Sequence, residues 1–126
     1  MTPEETVDEF IRRLMSKDID GACELVTDDM EYDNVPMGKV YGPSGVHGIL
    51  DPMVGGLDEV EFVVHRQLAS GNVVLNERSD RFRTGETWLD LPVAGVFEVN
   101  DDGRITLWRD YFDLETLNKQ IAAMGG

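Results

Sequence analysis

Cysteine is almost absent from this chain: Cys23 stands alone, so no internal disulfide braces the fold. It sits among Ala22, Leu25 and Val26, as expected of a small buried thiol. Histidine is nearly as scarce. His47 and His65 lack the spacing of a metal-ligand pair, are expected in loops or on the surface, and give no reason to expect a metal. Basic residues are few, 11 Lys and Arg against 25 Asp and Glu, for a formal charge of −14. Such a surface repels phosphate backbones and anionic lipid, which argues against nucleic-acid and membrane-surface roles. No apolar run has the form of a transmembrane span or a signal-peptide core, so a cytoplasmic protein without membrane insertion is expected. "GPSGVHG" lacks the lysine and the preceding strand of a phosphate loop, and the serines show no nucleophile elbow. No cofactor is expected.

What the chain does contain is enough apolar material for one domain, residues 1–126, without disulfide or metal staples: 41% of its residues are hydrophobic. "TPEETVDEFIRRLMSKD" marks an opening helix, with Thr2 as cap, Pro3 at the first helical position and Glu5 completing a capping box. Val7, Phe10, Ile11, Leu14 and Met15 form its apolar face. A second short helix is expected over about 19–26. "DDMEYDNVPM" reads as a short strand with Met30, Tyr32 and Asn34 on one face, and "GPSGVHGILDPMVGG" as a third helix fenced by glycine and proline. From Asp58 the hydrophobic period changes to two. Strands are expected over about 60–70, 73–83, 87–99 and 104–112, with turns at Gly71-Asn72 and "NDDG", and Asp113 caps a closing helix. Helices followed by a long antiparallel meander make an α+β domain, whose curved sheet would wrap the N-terminal helices around an apolar pocket.

Two strands carry charge where alternation predicts an inner face. Val74, Asn76, Arg78, Asp80 and Phe82 share one face, and Thr106, Trp108, Asp110 and Phe112 share another. An unpaired buried charge costs several kcal/mol, so Arg78, Asp80 and Asp110 on inner faces would have to meet. Arginine suits that task, because its rigid fork offers five donors to two carboxylates. The same pattern fits a plain salt-bridge network, or the opposite phasing, since Val73 and Leu75 are apolar too.

"VLNERSD" followed by "GRITLWRDYFDL", with "YDN" after two N-terminal helices, resembles the limonene-1,2-epoxide hydrolase family. The resemblance spans nearly the whole chain and is most specific in the ordered set Tyr32, Asn34, Arg78, Asp80 and Asp110. It implies the cone-shaped α+β fold of the nuclear transport factor two-like and ketosteroid isomerase superfamily, and a homodimer. It also implies one-step hydration of a lipophilic epoxide to a vicinal diol, with no cofactor. Asp110 would take a proton from a water held by Tyr32 and Asn34. Asp80 would protonate the epoxide oxygen, and Arg78 would orient both acids. Two acids sharing an apolar site and one proton must differ in protonation. Met37, Phe82, Phe97, Trp108 and Phe112 are candidates for the substrate wall. Ketosteroid isomerases combine an Asp base with Tyr and a protonated Asp, and polyketide cyclases also use a pocket aspartate. Neither reaction needs an arginine between two acids. A non-catalytic binding or dimerisation module of the same fold is the third reading.

Overall fold

A computed structural model describes residues 1–124; positions 125–126 of the expected domain lie outside the described residues. Helix α1 (Pro3–Met15) begins as its sequence dictates. Thr2 accepts the Glu5 backbone N–H at 3.1 Å, and the Glu5 carboxylate accepts the Thr2 N–H at 2.8 Å. Its apolar face, Val7, Phe10, Ile11 and Leu14, is buried, while Met15 at the helix end stays exposed. Helix α2 (Ile19–Cys23) is shorter than expected, because Val26 already opens β1 (Val26–Asn34). Strand β2 (Gly38–Tyr41) was not anticipated: four residues without apolar alternation carry no strand signal, yet they pair with β1 at the sheet edge. Helix α3 (Gly42–Val54) follows, with Pro43 near its start and Pro52 inside it.

The meander is β3 (Glu59–Ser70), β4 (Val73–Thr84), β5 (Thr87–Val99) and β6 (Ile105–Tyr111), and α4 (Leu114–Ala123) closes it behind the Asp113 cap. The sheet order is β2-β1-β6-β5-β4-β3. Pairing is antiparallel throughout except between β1 and β6, which run parallel, so the sheet is mixed. Its curved inner face wraps α1 and α3, and it does not close into a barrel. At one end Phe10 of α1 stands edge-on to Trp108, with ring centroids 5.0 Å apart, and to Phe97 at 6.4 Å. This end is filled by side chains. Among the described residues no helix is long and apolar enough to cross a membrane.

Candidate active site

Alternation along β4 puts Asn76, Arg78 and Asp80 inside, between Val74 and Phe82, and all five are buried. Strand β6 sends Trp108 and Asp110 to the same face. Because β1 runs parallel to β6, its register sets Tyr32 beside Trp108 and Asn34 beside Asp110. Tyr32 and Trp108 stack with ring centroids 3.9 Å apart and planes 1° from parallel. Tyr32, Asn34, Arg78, Asp80 and Asp110 therefore converge on one place from three strands.

Arg78 holds the cluster together. Its Nε and Nη2 donate to the two Asp80 oxygens, each at 2.9 Å, and Nη2 also donates to Asp110 Oδ2 at 3.0 Å. Nη1 donates to Asn76 Oδ1 at 2.9 Å. Burial opposes the arginine's charge, but the fields of Asp110 and Asp80 outweigh it and raise its pKa, so it stays cationic. Burial raises Asp80 to about 6 against the pull of Arg78, and the negative charge of Asp110 pushes the same way as burial. One guanidinium between two carboxyl groups is neutral overall only when the pair keeps one proton. Asp110 Oδ1 is buried and makes no hydrogen bond to any described residue. Burial and then Asp110 raise the Tyr32 phenol, while the Asn34 amide pulls the other way, so Tyr32 keeps its O–H to donate.

These groups face a cavity of about 820 Å³. Tyr32, Asn34, Asp80 and Asp110 lie on its wall; Arg78, whose side chain is 1% exposed, stands behind them. The rest of the wall is apolar apart from Lys39 and Thr84, and the volume is within the usual range of a small-molecule site. Of the residues expected there, Phe82, Trp108 and Phe112 line it, and Met37, 63% exposed, sits at its rim. Phe97 does not. It is fully buried against Phe10 and Trp108, because its end of the inner face is filled by α1. Sequence reasoning missed Leu89, Leu91 and Val93 of β5, Ile49, Leu50 and Met53 of α3, and Leu117 and Ile121 of α4. The alternation of β5 marked one apolar face, and the helical spacing of α3 and α4 marked others. Which of these faces meet across a cavity is set by packing, and periodicity does not encode it.

His47 is neither in a loop nor free. It lies on α3, with Nε2 2.9 Å from Asp20 and Nδ1 2.9 Å from Asp51, and ties α2 to α3. His65 is exposed beside Ser79. Cys23 is half-buried against the core, and burial pushes its thiol up to about 11. Among the described residues no group of three His, Cys, Asp or Glu side chains is placed to hold a metal.

Comparison with known proteins identifies the family. Residues 1–123 match the family model of the limonene-1,2-epoxide hydrolase catalytic domain. The chain is 40% identical over 115 residues to the epoxide hydrolase EphG of Mycobacterium tuberculosis, covering 91% of this chain and 76% of that protein. It superimposes on the structure of an M. tuberculosis LEH-like epoxide hydrolase with a TM-score of 0.80 at 37% identity, over 94% of this chain and 88% of the other. A putative SnoaL-like polyketide cyclase from Shewanella denitrificans matches with a TM-score of 0.86 at 16% identity, over 96% and 97% of the two chains, which shows a shared fold and nothing more. The chain belongs to the limonene-1,2-epoxide hydrolase family, and by that membership it is an epoxide hydrolase.

Proposed function

We propose that the enzyme adds water in one step to a lipophilic epoxide, giving a vicinal diol, with Asp110 as base and Asp80 as acid. One observation carries this reading: both aspartates line an apolar cavity while the arginine bridging them is sealed behind its wall. An ion-pair network built only for stability has no reason to turn its two acids toward a cavity.

The chemistry follows from the two faces of the pair. Water is a weak nucleophile and an alkoxide a poor leaving group, and a positioned base and acid remedy both in one transition state. A water molecule in the cavity donates one hydrogen to the Asp110 carboxylate and is held by the Tyr32 hydroxyl and the Asn34 amide, all three of which line the wall. Its oxygen forms a bond to one epoxide carbon as that carbon's bond to the ring oxygen breaks. The proton released by water goes to Asp110, and the Asp80 proton goes to the ring oxygen. Both Asp80 oxygens accept from Arg78, yet each keeps a second lone pair, and the carboxyl still borders the cavity. After the step Asp110 carries a proton and Asp80 has lost one; exchange through the cavity restores the starting state. The apolar wall selects a lipophilic substrate and keeps bulk water away from the opening ring.

Two further features belong to the same proposal. The chain acts as one catalytic domain, and it works as a homodimer.

Diol formation from a panel of lipophilic epoxides in ¹⁸O water tests the mechanism. Label enters the diol on the first turnover, and Asp110→Asn and Asp80→Asn each lose turnover while retaining the fold. Unlabelled first-turnover diol would indicate a covalent carboxylate intermediate instead. Two active variants would remove the assigned roles.

A further inference from the structure

The register of the sheet sets Gln67, Asn76, Gly95, Asp110 and Asn34 side by side on five adjacent strands, from β3 to β1. Position 95 is the gap in this row. Every other buried position of β5 carries an apolar side chain: Leu89, Leu91, Val93, Phe97 and Val99. The backbone does not demand glycine there, because Gly95 is not among the residues with positive φ. Space does. A Cβ on residue 95 would lie 2.4 Å from Arg78 Nη1, 2.8 Å from Asn76 Oδ1 and 3.0 Å from Asp110 Oδ1.

Topology explains the crowding. Arg78 is on β4 and Asp110 on β6, with β5 between them, and neighbouring strands lie about 4.8 Å apart. To reach Asp110 the guanidinium must lie across the β5 backbone, and it does so at the one inner position without a side chain. Its third donor is held from the far side. Asn76 Oδ1 accepts from Arg78 Nη1, Asn76 Nδ2 donates to Gln67 Oε1 at 3.1 Å, and Gln67 Nε2 donates to Asp8 Oδ1 of α1 at 2.8 Å.

We infer that Gly95 and Asn76 are positioning residues for the reaction: Gly95 opens the path by which Arg78 crosses β5 to Asp110, and Asn76 fixes the guanidinium in that path. The inference rests on the acid–base reading above. Neither residue lines the cavity, so neither touches substrate, and both act through Arg78. Displacing the guanidinium by even an ångström misaligns base and acid, and a misplacement of that size costs on the order of 100-fold in rate.

Steady-state kinetics of Gly95→Ala on cyclohexene oxide test it, beside the wild type, Asp80→Asn and Asp110→Asn. Gly95→Ala lowers kcat roughly 100-fold and leaves KM within about threefold, because the cavity wall is untouched. Asn76→Ala lowers kcat by roughly 10-fold, also without raising KM, and it stands in for Gly95→Ala should the added methyl prevent folding. A variant that folds and keeps wild-type kcat, or raises KM with kcat intact, overturns the positioning role of its residue. Active aspartate variants overturn the underlying mechanism. Inactive aspartate variants with active Gly95 and Asn76 variants overturn only the present inference.

Discussion

Asp80 is subject to two opposed influences, and their balance predicts how the enzyme responds to pH. Burial raises its carboxyl to about 6, while two hydrogen bonds and the charge of Arg78 draw it down. As the proposed general acid it would work only while it holds its proton. Activity must therefore fall as pH rises through that value, and kcat/KM in the free enzyme should lose about tenfold per pH unit above roughly 6. The same shift has a stability counterpart. A folded-state pKa above the unfolded value means the folded protein binds this proton more tightly; the associated stability is present in acid and lost as pH rises through about 6. A pH–rate profile that stays flat from about pH 5 to about pH 9 would exclude Asp80 as the acid. At this scale the sequence was informative. A charged run on an apolar strand face is costly unless it pairs, and that cost points to Arg78, Asp80 and Asp110. Gly95 escaped notice, because a glycine in a strand gives no sign that an arginine two strands' reach from its target must pass over it.

Helix α4 is hydrogen-bonded to β5 through one side chain, Gln120. It buries no residue completely, yet Leu117 and Ile121 form part of the cavity wall. Strand β6 ends at Tyr111, opposite Ala94, so the stretch of β5 before Ala94 has no β6 partner. The Gln120 side chain pairs with that edge as a strand would. Its Nε2 donates to the Asp90 carbonyl at 2.6 Å, and its Oε1 accepts the Asp90 N–H at 2.7 Å. Gln120→Ala frees α4 from β5. The expected result is a several-fold rise in KM for a bulky epoxide with kcat changed less, and faster hydrogen exchange over residues 114–124. Unchanged KM and exchange would show that Leu117 and Ile121 hold the helix by themselves. Helices α1 and α4 and strands β3 to β6 were visible in the sequence through period and caps. Strand β2 was not, since it exists only because β1 offers it an edge, and the parallel β1–β6 pairing that brings Tyr32 and Asn34 to the aspartates is a long-range choice that local pattern does not record.

For the whole molecule, the outer face of the sheet is where the proposed homodimer would form. Leu68 and Leu75 oppose each other across β3 and β4 and are 74% and 47% exposed, with Val63, Ala94 and Tyr111 also exposed on this face. The charges around them are already matched within the chain: Arg66 with Glu77, Arg81 with Glu61 and Asp90, Arg83 with Glu59, and Arg109 with Glu31 and Asp33. A net charge of −14 would drive two copies apart if their acidic surfaces met. This face reduces that penalty, because four arginines offset most of its six paired acids and these charges surround an apolar centre, the anatomy of an interface. A second copy related by a two-fold axis presents the same patch in return, so one surface satisfies both partners. The cavity opens on the opposite side of the sheet, which leaves each site free in the pair. Sedimentation equilibrium at micromolar concentration should give twice the 14.1 kDa chain mass, and Leu68→Glu or Leu75→Glu should halve it by burying carboxylates against their own copies. Wild-type protein sedimenting at the single-chain mass would reject the dimer. Glutamate variants that remain dimeric would place the contact elsewhere on the surface.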